Sequence, residues 1–392
     1  MNAFAVGASL RERSPAEKAL LLCAIAAVAS SLLSITFIEG FWILALIPWI
    51  ILLARRKRRF APPAFFWPLA VYAGWSLLAS AFSVNPGASF SASRKLLVIL
   101  IVAVIPAAFE KIFDPVVASW ALFASGVAAS AWAIIYEIFR AAPGERIRGF
   151  MGHYMTQAGL LCLFLAFVLA MAVFSRGGVR LIWAATLVPA GAALIMTLTR
   201  NAWLGLAAAV LILALWKPRT LIFIPLLAAL LYGIGPAPVR SRLRSILDRG
   251  DPSNAARIEY ARAGLKIIGE RPLFGTGPNT VHVVFQDPKY GLGDYARHNV
   301  HLHSNIFQIA AERGLPALAA WFIFLGWACV SLGKRFRAAG PRGKPLAAAG
   351  LAAVAALVVA GIFEYNFGDS EIALLFFLIL ALPFAGGTDS RA

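Results

Sequence analysis

The chain has 392 residues, of which 60% are hydrophobic and only 14% charged, whereas soluble domains run at roughly 45–50% apolar and about 25% charged. That balance excludes an ordinary soluble enzyme, because apolar runs of about 20 residues, each able to cross a hydrocarbon core of about 30 Å, recur along the whole length. The formal net charge of +18 follows in part from basic residues gathering in short cytoplasmic loops, and no nucleic-acid partner is expected from it.

The hydropathy pattern predicts an all-α polytopic membrane protein forming one integral-membrane unit over residues 1–392. About twelve spans fall near 19–36, 41–54, 64–81, 96–110, 116–139, 156–174, 179–197, 201–216, 220–235, 304–331, 345–365 and 371–385. About nine spans thus lie in 1–235 and three in 304–392, on either side of a long polar segment, 236–303. The N-terminal stretch through Val28 has the look of a signal peptide, but the second span follows almost at once, so a retained helix is expected. Cys23, Cys162 and Cys329 all fall inside predicted spans, with no disulfide framework or zinc spacing, and read as small buried hydrophobes.

Orientation follows from the short loops. Arg11, Arg13 and Lys18 precede the first span and Arg55 to Arg59 follow the second. Arg176 and Arg180, Lys217 and Arg219, and the cluster from Lys334 to Lys344 come later. With twelve spans all of these share one side, which predicts that both termini are cytoplasmic. The opposite side receives the loops near 82–95, 140–155, 198–200, 236–303 and 366–370. Within the longest loop, 254–271 reads as an amphipathic helix, with Ile258, Ala261, Leu265 and Ile268 at helical spacing. Pro272 closes it and Gly275–Thr276–Gly277 makes a turn. That Gly-Thr-Gly lacks the lysine and following helix of a phosphate loop. The whole segment is too small and polar to build a good core alone.

This loop holds ten basic and six acidic residues, an excess on the side where short loops avoid positive charge. Arg240, Arg242 and Arg244 suffice to meet anionic lipid headgroups, and arginine forks equally match the phosphate of a lipid substrate. Arg200 stands between two apolar segments with no room for a loop, so it either snorkels or faces a polar cavity. His303, followed by Ser304, marks the junction where the loop re-enters the membrane. It is either an interfacial capping residue or a general base near pH 7. His298 and His301 read more simply as interfacial. No acid or cysteine close in sequence completes a metal set with the three histidines. No Asp-x-Asp pair for a nucleotide-sugar enzyme appears either, so neither a metal nor a cofactor is expected.

Four elements carry a family resemblance: Arg200 between two spans, the segment from Arg257 to Gly277 (RIEYARAGLKIIGERPLFGTG), His303 with its following helix, and the 366–371 turn NFGDSE. They resemble the bacterial O-antigen ligase and O-antigen polymerase superfamily, and the overall architecture resembles the GT-C-type membrane glycosyltransferases. The ligase pattern of His, then Asn, Ser or Gln, nine residues and Gly is met by His303, Ser304 and Gly314. Its last position, Ala317, departs from the Gly, Thr or Tyr of the pattern. The resemblance implies a metal-independent, inverting glycosyltransfer on the periplasmic side, in lipopolysaccharide assembly. The donor would be a glycan on undecaprenyl pyrophosphate and the acceptor a sugar of the lipid A core or another glycan. His303 would then be the base, Arg200 and Arg257 would bind the pyrophosphate, and Asp369 would orient the base or a sugar hydroxyl. Arg262, His298, His301 and Ser304 would line the substrate site. A polymerase extending a second lipid-linked glycan is the near alternative, and a transporter of lipid-linked glycans is the alternative of another class.

Overall fold

The computed structural model describes residues 12–111, 114–140, 145–229, 232, 237–245, 248 and 251–386. Among these residues every regular element is helical. Seven helices are long and apolar enough to cross a membrane: α2 (Ile35–Ala54), α4 (Pro86–Ala108), α5 (Asp114–Arg140), α6 (Tyr154–Phe174), α7 (Gly177–Met196), α14 (Asn305–Ala338) and α15 (Gly343–Ala360). The other predicted spans correspond to shorter helices: α1 (Pro15–Ser30), α3 (Phe66–Ala81), α8 (Arg200–Ala214), α9 (Phe223–Ala229) and α16 (Ser370–Ala381). Most of the ninth predicted span beyond Ala229 lies outside the described residues, as do Arg11 and Arg249. The polar segment contributes α10 (Ala237–Arg244), α11 (Pro252–Glu270), α12 (Val281–Val284) and α13 (Asp294–Arg297).

Local sequence sets the helix starts. Ser14 and Glu17 form a reciprocal capping box with Pro15 in the first turn of α1. The break between the first two helices comes at 31–34, earlier than expected from hydropathy. Ser34, extended in backbone, accepts from the Phe37 amide and so starts α2 there. Asn85 likewise caps the helix beginning at Pro86, which makes part of the expected 82–95 loop helical.

The centre of the bundle is made of α6, α15 and α16. Nearly every residue of α6 and all of α16 are buried. A helix hydrophobic and buried all round is the innermost element of its layer. Around them, α2, α7 and α14 leave large apolar side chains exposed, among them Ile43, Ile47, Leu181, Val188, Phe322 and Trp327, the surface expected to meet lipid. Ion pairs tie the end of the bundle formed by the starts of α1 and α5. Arg13 pairs with Asp114, Arg58 with Glu17 and Glu110, and Lys111 with Glu12.

At the other end the polar segment folds over the bundle. It has a small core of its own in which Tyr260, Ile267, Phe285, Tyr290 and Leu302 pack with Ala311 of α14. The segment does not build this core alone, because α14 lends the missing wall. The predicted amphipathic helix is present as α11, but its buried face is Ala256, Tyr260, Ala263 and Ile267. The expected stripe is displaced: Ile258 and Leu265 are 45% and 61% exposed. Two stripes at helical spacing lie about 150° apart on this helix. Hydropathy favours the one with Ile and Leu, whereas the core selects the one whose small residues allow close approach and whose Tyr hydroxyl finds a partner.

The Gly275–Thr276–Gly277 turn does more than reverse the chain. Thr276 and Gly277 donate to the Ala311 and Glu312 carbonyls (2.8 and 2.9 Å), and Leu315 donates to the Pro272 carbonyl (2.7 Å). These bonds use backbone groups freed where α14 breaks at Gly314, whose φ is +80°. A side chain at Gly314 would overlap the Leu273 carbonyl, and one at Gly275 (φ +63°) the Ala311 carbonyl. Phe274, within the turn, lies between the rings of Trp75 and Phe82 (5.4 and 4.4 Å between centroids).

Candidate active site

His303 lies just before α14 in a left-handed conformation, φ +49°, that is uncommon outside glycine. Its Nδ1 is 2.9 Å from Oε2 of Glu364, a residue of the turn between α15 and α16. The ring also lies 4.2 Å from that of His301 and 5.3 Å from that of Tyr260. Glu364 is buried and its other oxygen is 3.6 Å from Nε2 of His301. Burial pushes the Glu364 carboxyl up, but the hydrogen bond from His303 and the nearby imidazoles outweigh it, leaving the group below the ordinary carboxylate range. For His301, burial dominates and lowers its pKa to about 4. An ionised Glu364 therefore accepts from Nδ1–H of His303. This fixes the tautomer that leaves Nε2 free as a base.

Arg257, on α11 one turn before Tyr260, donates through Nε to the carbonyl of Phe363 (3.3 Å), the residue preceding Glu364. Arg257 and His303 thus flank one short segment, Phe363–Glu364. Arg200, the first residue of α8, turns to the same end of the bundle. Its Nη1 donates to the Ser245 carbonyl (2.6 Å) and hydroxyl (2.8 Å). Its Nη2 donates to Ser253 Oγ (2.7 Å) and Asn254 Oδ1 (3.1 Å), with Asp251 at 3.5 Å. All four Nη hydrogens are engaged. Arg200 therefore faces a polar cradle rather than hydrocarbon, and it pins the start of α11, the helix that carries Arg257.

The remaining predicted residues separate. Ser304 is buried as the N-cap of α14 without a side-chain capping bond. His301 belongs to the cluster. His298 is exposed, and its Nδ1 lies 2.7 Å from the Asp294 carbonyl at the end of α13. Arg262 is exposed, about 140° around α11 from Arg257. Asp369 accepts from Thr156 Oγ1 (2.8 Å), and the carboxylate bonded to His303 is Glu364, five residues earlier. The turn Gly361–Gly368 brings Glu364 up to the loop, while Asp369 stays at the α16 N-terminus beside α6.

His301, His303 and Glu364 also offer three ligand-type atoms within 4.8 Å of one another. The reading that no acid completes a metal-type set held only for nearby sequence, because the fold brings Glu364 from 61 positions downstream.

Residues 185–322, from within α7 to mid-α14, match a family model described as O-antigen ligase. Over that stretch the chain is similar to the O-antigen ligase family. The match supports the O-antigen ligase and polymerase superfamily and, with it, an enzyme. The matched stretch contains Arg200, Arg257 and His303 and ends before Glu364. No curated protein matched the chain. Sequence reasoning missed Glu364 as the partner of His303. Its only signal was an acid at the end of an apolar span, two residues before Asn366.

Proposed function

We propose that this protein is an O-antigen ligase, transferring a glycan from undecaprenyl pyrophosphate to a hydroxyl of a lipid A core sugar on the periplasmic face of the inner membrane. The observation that carries this reading is the His303–Glu364 pair, held beside Arg257 at the end of the bundle where Arg200 also turns. A base and guanidinium groups at a membrane mouth suit a lipid-linked substrate whose leaving group is an anion.

In this reaction His303 Nε2 takes the proton of the acceptor hydroxyl. The acceptor oxygen forms a bond to the anomeric carbon as the bond from that carbon to the pyrophosphate oxygen breaks. The configuration inverts, and the pyrophosphate leaves with one more negative charge than it had. Arg257, through its remaining N–H donors, and Arg200, through its fixed positive charge, stabilise that charge as it grows. Glu364 holds the ring and stabilises the imidazolium. Neither nucleotide nor metal takes part, since the diphosphate is already a good leaving group.

The test is transfer by purified protein supplied with undecaprenyl-pyrophosphate glycan and lipid A core, with chelator and without nucleotide. Glycan on the core, lost in His303→Ala, is the expected result. Lengthened lipid-linked glycan would replace ligase by polymerase, the alternative that the family match equally supports. No product with either acceptor would overturn the reading in favour of transport.

A further inference from the structure

The donor accounting around Arg200 leaves a gap in the proposed site. A guanidinium has five N–H donors, and four of those of Arg200 are already bonded to Ser245, Ser253 and Asn254. A pyrophosphate diester offers several acceptor oxygens and two negative charges, so cations with free forks are needed beside Arg257.

Two stand at the same corner. Arg146 is partly buried, its guanidinium 4.4 Å from the centroid of the Tyr154 ring. Its neighbour Ile147 is buried and donates to the Met196 carbonyl (3.3 Å), which fixes the segment against the end of α7, four residues before Arg200. Arg242 is partly buried on α10, one turn before the Ser245 that receives Arg200. Among the described residues neither Arg146 nor Arg242 has a carboxylate within ion-pair distance. Burial, and secondarily the charge of Arg242, pull the pKa of Arg146 below its usual value, and Arg200 feels both Arg257 and Arg242. Like charges gathered this way cost free energy unless an anion joins them.

An apolar groove of about 310 Å³ opens next to this corner, lined by Trp132, Ile135, Tyr136 and Phe139 of α5. Its Trp132 stacks on Phe150 (5.1 Å), four residues after Arg146. The segment that carries Arg146 therefore also closes this hydrocarbon seat through Phe150.

We infer that Arg146 and Arg242, with Arg257, are the direct contacts for the diphosphate of a lipid-linked substrate, that the α5 groove takes the first part of its hydrocarbon tail, and that Arg200 is a positioning residue. This rests on the proposed reaction for the identity of the ligand, but binding can be read without turnover. Polyprenyl pyrophosphate bearing no glycan is titrated into detergent-solubilised protein, with quenching of tryptophan fluorescence as readout, alongside polyprenol and inorganic pyrophosphate. Loss of one charge-assisted contact predicts affinity for polyprenyl pyrophosphate at least about tenfold weaker in Arg146→Gln and in Arg242→Gln. The exposed Arg240→Gln stays within about twofold. Arg146→Lys retains part of the affinity, which separates lost charge from lost fold.

Polyprenol, carrying the tail alone, and inorganic pyrophosphate, carrying the anion alone, should each bind more weakly than the lipid pyrophosphate. Equal affinity for polyprenol and its pyrophosphate would overturn the assignment, as would unchanged binding in both glutamine variants or equal losses in all three. Transfer failing while these binding losses appear would refute the proposed reaction and leave the diphosphate site standing.

Discussion

Replacing Glu364 by Gln tests the site most directly. The carboxylate is buried and bonded to Nδ1 of His303 at 2.9 Å. An amide can still occupy the space, but it loses the charge that stabilises the imidazolium and can present N–H instead of oxygen. A hydrogen bond to a charged group contributes about 1.5–3 kcal/mol. If that interaction strengthens as His303 takes up a proton, turnover should fall roughly 10- to 150-fold. The KM for the lipid-linked donor should change little, because the diphosphate is held by arginines. Asp369→Asn, which disturbs the bond from Thr156 and the contact with Glu371 but leaves the His303 pair intact, should cost less than Glu364→Gln. The assay is initial transfer rate against donor concentration, with thermal stability measured on the same preparations. A folded Glu364→Gln protein turning over within about threefold of wild type would refute the role of Glu364, and with it the tautomer assigned to His303.

Other consequences are as specific. Gly314→Ala should lower the thermal midpoint strongly or prevent folding, because its positive φ and the Leu273 carbonyl both exclude a side chain. Gly326→Ala, in the same helix with open space around it, should be close to neutral; similar losses in both would refute the role given to the break at Gly314. Arg200→Lys should restore little of the activity lost in Arg200→Ala, since one ammonium does not reproduce four bonds to three residues, and limited proteolysis should show the start of α11 loosened in both. On the pH axis, His301 has a pKa of about 4 when folded against 6.5 ordinarily. Its contribution to stability is full above about pH 6.5 and is lost progressively as pH falls toward 4, because the unfolded chain takes up a proton that the folded chain refuses. Thermal midpoints across that range should decline in wild type and decline less in His301→Gln.

The sequence carries the class of this fold in its apolar runs, because a helix that must satisfy its backbone in lipid has few alternatives. It also makes Arg200 and His303 conspicuous, since charge or imidazole at a span boundary is costly enough to stand out, whereas Arg257 is visible only through the family resemblance. What it conceals has one physical origin. Glu364 reaches His303 across 61 positions, and Arg146 and Arg242 meet Arg200 only once three separate connections fold onto one end of the bundle. The wrong face of α11 has the same source, because periodicity finds two stripes and only α14 decides between Ile258 and Tyr260. Asp369 was the acid that the family turn made visible, yet the hydrogen bond to His303 depends on which acid the turn lifts into the loop.

The Gly275–Gly277 turn and the break at Gly314 connect these points. Helix α14 begins two residues after His303 and is interrupted at Gly314, where its freed backbone groups bond to the turn following α11. The base and Arg257 are thereby held from both ends of α11: Arg200 fixes its start through Ser253 and Asn254, and the glycine turn fixes its end against α14. An error of even 1 Å in such a constellation can cost about 10²-fold in rate. Substitutions at Gly275 that still fold should therefore reduce turnover far from the base itself. The same preparation should lose no more of its affinity for lipid pyrophosphate than the part Arg257 supplies, since Arg146 and Arg242 lie on connections that α11 does not carry. Loss of binding and turnover together in a folded Gly275 variant would contradict that division.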